Sequence, residues 1–261
     1  MKLEKMHNNA RLFKQILSLK TDILAIKMIK NESDIPKEAI RPKKDGFNRI
    51  DLCQAFAMSR FEGKTVAMLK EDNCCFEPVL GFGLAEPVKE FYDGITRYPW
   101  SIAKKEDAKK WAKNFPHLKF GEYVGIVTSS LMTCDFIPDI FSIYCSPEQL
   151  TQLLITQNCL NGEDVTSTLS GHAGCVYSIV PVLKEKKCMV SSPCRGDRNY
   201  GRTQNNEIIY SCPIDKLEKY LETFDYLQKH GWGFPLLREM KLGHTLDNNY
   251  KEIGEKIGMK Y

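Results

Sequence analysis

Ten of the 261 residues are cysteine: Cys53, Cys74, Cys75, Cys134, Cys145, Cys159, Cys175, Cys188, Cys194 and Cys212. Thiolates are the soft ligands that zinc and iron–sulfur clusters take, in preference to magnesium or calcium. A reducing cytosol argues against a disulfide framework, so the expectation is a fully reduced set with no structural disulfide. Two uses of the thiols remain. They are metal or cluster ligands, or they are small buried hydrophobes tolerated in the cell of an anaerobe. Spacing singles out five. Cys53 opens a predicted helix that leads into a strand, and Cys74 follows 21 residues on, with Cys75 beside it. Cys175 opens a second such helix, and Cys194 follows 19 residues on. Two cysteines from each half make a four-thiolate set. The spacing is not the Cys-x-x-Cys of a zinc ribbon, and Cys188 and Cys194 form no standard ligand pair. Cysteine at a helix start also has its thiol pKa lowered by the helix dipole, which suits a ligand and a nucleophile alike.

Arginines supply the second chemistry. Arg195 and Arg198 flank Gly196 and Asp197 beyond a predicted strand. Such a loop clamps a carboxylate or phosphate bidentately. Arg41 and Arg49 offer the same from the first half, and the bland alternative is surface pairing of little energetic worth. His172, three residues before Cys175 in a Gly-rich loop, is a candidate base or ligand. No Walker loop, dinucleotide glycine fingerprint or His-Glu-x-x-His is present, and Gly81-Phe82-Gly83 alone is not one.

These side chains need elements to hold them. Apolar, β-branched runs predict strands over 22–29, 65–69, 123–127, 139–144, 188–190 and 207–210. Asp51 to Phe61 reads as a helix closed by Gly63. Ser146, Pro147 and Gln149 form a helix start running towards Gly162. Further helices are expected over 1–20, from Pro87 to Asp93, over 175–184 despite Pro181, and from Pro213 to about His230. Glu71 to Cys75 and Ser191 to Arg198 read as loops, and Gly81 to Gly83 as a flexible segment. Arg97 to Gly121 looks like a Lys-rich inserted helix anchored by Trp100, Trp111 and Phe115. Its Lys104-Lys105 and Lys109-Lys110 pairs are most simply a solvated face.

Asp22-Ile-Leu-Ala-Ile26 echoes Asp139-Ile-Phe-Ser-Ile143, and the order of strand, cysteine-headed helix, strand and cysteine loop occurs twice. A repeat this long indicates a duplicated module. The expected fold class is α/β (α+β), with two related modules from an internal duplication packed as one unit. The division is an N-terminal helix at 1–20, a first module at 21–121 with a helical insertion at about 97–121, a second module at 122–230 and a C-terminal tail at 231–261.

Composition sets the outer limits. Hydrophobic residues at 43% and charged residues at 27% describe a globular chain that can build its core without staples. A net charge of +4, spread along the sequence, is too mild to imply nucleic acid. No run of 18 apolar residues occurs and the first 20 lack a signal peptide's apolar stretch, so a cytoplasmic protein without a membrane span is expected.

Several quoted residues together carry a resemblance. Leu52-Cys53-Gln54-Ala55, Gly63, Asn73-Cys74-Cys75 and Leu80-Gly81-Phe82-Gly83 occur in order in the first half. Gly174-Cys175, Pro181, Ser192-Pro193-Cys194-Arg195-Gly196-Asp197-Arg198 and Ile214 to Leu217 occur in order in the second. From about Lys20 to His230 the chain resembles an uncharacterised family, domain of unknown function 169, also called ArCR-like. The family pattern has one cysteine in the first loop. The resemblance therefore implies Cys75 as the equivalent of this chain's pair, and it brings no reaction with it.

The functional expectation is a cysteine-rich protein that binds an iron–sulfur cluster, with zinc as the alternative, through Cys53, Cys74 or Cys75, Cys175 and Cys194. It would serve redox or cofactor chemistry. Two rivals stand beside it. One is a non-catalytic binder of an acidic small molecule through Arg41, Arg195, Arg198 and His172. The other is a thiol enzyme with one activated cysteine. The partners that follow are a small molecule or a redox protein, with neither nucleic acid nor membrane, and self-association is possible.

Overall fold

The strands are apolar on both faces, and the reason is their position. In this computed structural model, which describes residues 2–236 and 246–260, helices cover the sheet on each side. The strands are β1 (Leu24–Ile29), β2 (Val66–Leu69), β3 (Gly125–Ser130), β4 (Ile140–Cys145), β5 (Met189–Ser191) and β6 (Ile208–Pro213). They form one six-stranded sheet in the order β2-β3-β1-β4-β6-β5, with every neighbouring pair antiparallel. A sheet buried on both faces loses the polar alternation of a half-exposed one. The protein is thus a mixed α/β chain, with ten α-helices among the described residues.

Alternate residues of each strand feed two cores. On one face Leu24, Ile26, Met28, Val66, Met68, Ile126, Ile140, Tyr144, Met189 and Ile209 pack against α2 (Leu52–Glu62) and α7 (Gly174–Glu185). On the other face Ala25, Ile29, Ala67, Val127, Phe141, Ile143 and Tyr210 pack against α1 (Leu3–Ile16), α6 (Pro147–Asn161) and α9 (Lys216–Lys229). The helix ends follow the expected chemistry. Gly63 and Gly162 close α2 and α6 with positive φ of 67° and 71°, where a Cβ would be strained. Ser146 and Gln149 exchange side-chain and backbone hydrogen bonds at the start of α6.

Strands β2, β3 and β1 make one half of the sheet, and β4, β6 and β5 the other, meeting where β1 pairs with β4. β3 lies with β1 and β2, although the division at 121/122 groups it with the later residues. Helix α9 starts at Lys216, because Pro213 closes β6 instead of opening the helix. In the 231–261 tail, α10 (Asn248–Lys256) is a short helix, and residues 237–245 of that segment lie outside the described residues. Two short helices lie where the sequence predicts none: α3 (Phe76–Gly81), which ends in the expected flexible segment, and α8 (Arg195–Tyr200), which begins inside the expected 191–198 loop. Gly81 is part of α3, and it is a glycine because a Cβ there would lie 2.5 Å from Val176 of α7.

The expectation of ten reduced thiols is corrected. Cys188 and Cys212 are joined by a disulfide, which leaves the other eight cysteines free. Antiparallel pairing of β5 with β6 sets these residues opposite each other, with Cα atoms 4.3 Å apart, within disulfide reach. Among the described residues, no helix is long and apolar enough to cross a membrane.

Candidate functional site: a four-cysteine cavity

The short helices α3 and α8 place the loop cysteines. Cys75 is the residue immediately before α3, and Cys194 holds the same position before α8. The Cys194 sulfur accepts the Asp197 backbone N–H at 3.5 Å, doing the work of an N-cap side chain. Cys53 and Cys175 are each the second residue of their long helices, α2 and α7. The packing is crossed between the halves of the chain: α2 lies on α8, and α7 lies on α3. Close approaches hold the start of α7 against the Cys194 segment and α8 against α2. A Cβ on Gly174 would lie 2.7 Å from the Ser192 carbonyl oxygen and 2.9 Å from the Cys194 nitrogen. One on Gly201 would lie 2.2 Å from the Asp197 carboxylate and 3.0 Å from Cβ of Cys53.

The result is one cavity of about 420 Å³ with Cys53, Cys75, Cys175 and Cys194 on its wall. Cys74 is not among them. It is exposed and lines a second depression with Arg49 and Phe76, on whose wall Cys75 also lies. Adjacent residues of an extended segment point to opposite sides, so only one of the pair can face the cavity.

Electrostatics correct the expectation of low-pKa thiols at helix starts. Burial pushes the Cys53 thiol up, and Asp197, Asp51, Cys194 and Cys75 push the same way. Burial also raises Cys75 to about 12, with Asp51 and Cys194 adding and Arg97 opposing. Cys175 lies well above its ordinary value, through burial and then through Cys194, Cys75 and Cys53. Desolvation and like charge outweigh the helix dipole, which acts only over the first turn and is worth about 1 kcal/mol or less at ordinary sites. Charge on Cys75 disfavours ionisation of Cys53, and charge on either disfavours ionisation of Cys175.

Arg195 and His172 also line the cavity. Burial and the Arg97 guanidinium hold His172 below its ordinary range, so its ring is neutral at pH 7. Arg41 and Arg198 are not brought there. Arg41 is buried elsewhere, donating to Asp72 at 2.9 Å and Glu71 at 2.8 Å, so its guanidinium is already occupied. Arg198 donates to the backbone carbonyl of Gln204 at 2.9 Å and ties down its own loop.

The wall contains groups that the spacing argument missed. Arg97 forms an ion pair with Glu77 and lies 4.6 Å over the ring of Trp111. Trp111, on α5 (Lys105–Lys113), meets the His172 ring edge-on at 5.9 Å. Asp51 caps α2 and Asp197 lies on α8. Asp197 is buried, and its carboxylate accepts from Thr203 at 2.7 Å and Tyr144 at 2.8 Å. Behind Tyr144, the fully buried Arg60 lies 3.4 Å over its ring. Asp51 stands directly before the cysteine-headed helix, so it was legible as a cap. Nothing in the sequence ties Arg97 or Trp100 to this wall: in the 97–121 segment expected as an inserted helix only Lys105–Lys113 forms α5, and Trp100, expected as an anchor, is exposed.

Among the described residues, no three His, Cys, Asp or Glu side chains gather tightly enough to hold a single metal ion. The four thiols share a cavity without converging on one point.

No solved structure matches the chain. An uncharacterised protein of Methanocaldococcus jannaschii is 24% identical over 238 residues, covering 88% of this chain and 97% of that relative. The family model for domain of unknown function 169, described as uncharacterised ArCR, matches residues 12–223. With most of its length matched, and with both cysteine-headed helices and both cysteine-capped helices inside that span, the chain belongs to this uncharacterised ArCR family.

Proposed function

We propose that the cavity holds an iron–sulfur cluster through Cys53, Cys75, Cys175 and Cys194, and that the protein is a redox or cofactor-handling protein of the cytoplasm. The observation that carries this reading is the presence of two cysteines from each half on the wall of one 420 Å³ cavity. A cluster spreads four thiolates around several irons, which suits a wider setting than one zinc ion needs. Ligation would require these thiols to lose their protons, so cluster binding would release protons and strengthen as pH rises. When bound, such a cluster would supply one-electron transfer. The chain's own part is to hold four sulfurs from rigid helix starts, to place Arg97 where it offsets thiolate charge, and to keep the site inside a wall of protein.

The rival readings have less behind them. An acidic ligand would find Arg195 on the same wall, but Arg41 and Arg198, the other arginines expected to clamp it, are engaged elsewhere. An activated cysteine needs a lowered pKa, and Cys53, Cys75 and Cys175 are raised.

The matching placements of Cys53 with Cys175 and of Cys75 with Cys194 support an origin by internal duplication. So does the sheet order, in which β1, β3 and β2 run outward on one side and β4, β6 and β5 on the other. The decisive experiment is anaerobic reconstitution with iron and sulfide, followed by iron and sulfide analysis and visible and electron-paramagnetic-resonance spectra. Near-stoichiometric cluster supports the reading. Protein that stays colourless and iron-free under these conditions overturns it.

A further inference from the structure

The net positive charge of the molecule lies in one segment, and the start of that segment lines the cavity. From Arg97 to Gly121 the chain carries seven cations (Arg97, Lys104, Lys105, Lys109, Lys110, Lys113 and Lys119) against Glu106 and Asp107, a net +5. The whole chain carries +4, so everything outside this stretch sums to −1. Lys109 pairs with Glu106 at 3.0 Å, and Arg97 is held by Glu77. Lys104, Lys105, Lys110, Lys113 and Lys119 are exposed and make no ion pair among the described residues. A solvated face needs no such excess, since interspersed carboxylates serve solubility as well.

The segment is bound to the cavity wall. Trp100 and Ser101 line the cavity directly, and Trp111 of α5 touches both Arg97 and His172. Trp100 is 85% exposed, and Tyr200, which also lines the cavity, is exposed too. An exposed aromatic centre beside unpaired lysines has the anatomy of a protein interface, with an apolar core and a charged rim. Duplex nucleic acid would be met chiefly by phosphate-contacting cations and would not call for an aromatic lip at a cavity mouth.

We infer that the 97–121 segment is the docking surface for an acidic electron-carrier protein, which seats on Trp100 and Tyr200 and is steered by Lys104, Lys105, Lys110 and Lys113. The inference rests on the cluster reading for its redox step. With a cluster held by Cys53, Cys75, Cys175 and Cys194, the docked carrier would lose one electron and the cluster would gain it, with no other reactant. Docking itself depends only on the surface. Complementary charge raises the association rate and makes binding salt-dependent.

A small acidic [2Fe–2S] ferredoxin is the probe. Its affinity for the reconstituted protein is measured by biolayer interferometry between about 0.02 and 0.3 M salt, where screening changes most. The comparison is with K104E/K105E/K110E/K113E and with K219E/K229E on the opposite layer, all checked for unchanged melting. The wild type and K219E/K229E should bind, and the fourfold reversal should weaken binding by about tenfold or more at low salt. Cys194→Ser should still bind the probe while losing electron transfer, which separates failure of the docking idea from failure of the cluster reading. Three results would overturn the inference: no binding by the wild type, affinity unchanged by the fourfold reversal, or tighter binding to a short DNA duplex or phosphatidylserine vesicles than to the ferredoxin.

Discussion

Replacing Cys194 by serine separates a ligand from a structural thiol, because the structure gives the two roles opposite consequences. As a structural group, the Cys194 sulfur accepts one backbone hydrogen bond, from Asp197 at 3.5 Å, at the start of the six-residue helix α8. Serine is among the preferred N-cap residues, and replacing a good cap by alanine costs about 1 kcal/mol. The substitution therefore changes stability by no more than about 1 kcal/mol, a shift of about 2–4 °C in melting temperature for a chain of this size. As a ligand, the sulfur is one of four, and a hydroxyl is a poor soft donor. Iron and acid-labile sulfide after anaerobic reconstitution should fall at least about tenfold in affinity, equivalent to about 1.4 kcal/mol. Cys74→Ser is the matched control, since Cys74 is exposed and outside the cavity wall, and its iron content should equal the wild type's. A folded Cys194→Ser protein that retains wild-type iron and sulfide would refute the shared-site reasoning.

Other perturbations probe the frame around the site. Arg60→Met removes a cation that lies 3.4 Å over Tyr144 and 3.7 Å from Glu207, leaving buried carboxylates at Glu207 and Asp197 without it. Urea denaturation should show a loss of about 3 kcal/mol, and a loss under about 1 kcal/mol would mean that Arg60 does not hold this network. Gly174→Ala puts a Cβ against the Ser192 carbonyl and the Cys194 nitrogen, and should cost about 1–3 kcal/mol while reducing iron uptake. In Gly196→Ala the new Cβ meets only the Cys194 sulfur at 3.7 Å, so stability matching that of Gly174→Ala would contradict the packing argument. Cys134 and Cys145, away from the cavity, are each pushed up to about 12 from an ordinary 9.0, chiefly by burial. Their folded pKa lies above the unfolded value, so the stability they contribute is fully present below pH 9 and is lost as pH rises through 12. Unfolding free energy measured at a series of alkaline pH values should decline across that window, and a flat profile would show that these thiols are not buried as described.

The same physics separates what could be read along the chain from what could not. The strand runs, the glycine-closed helix α2, the capping box at Ser146 and the family resemblance are local patterns, written within a few residues of where they act. The importance of Cys53, Cys175 and Cys194 came from spacing, and the choice of Cys75 over Cys74 came from the family pattern. The structure puts these four on one wall and leaves Cys74 outside it. Short helices such as α3 and α8 escaped notice because six residues carry too little periodicity to stand out from a turn.

Residue types and spacings determined the elements, the resemblance and the cysteines worth watching. Tertiary structure decided which side chains share a space. It brought Arg97, Glu77 and Trp100 to the cavity, spent Arg41 on Asp72 and Glu71, and joined Cys188 to Cys212 across adjacent strands. It also reversed the expected direction of the thiol pKa values. A helix start is a local feature, whereas desolvation and the charge of neighbouring thiols depend on what long-range packing sets beside it, and at Cys53, Cys75 and Cys175 those outweigh the dipole.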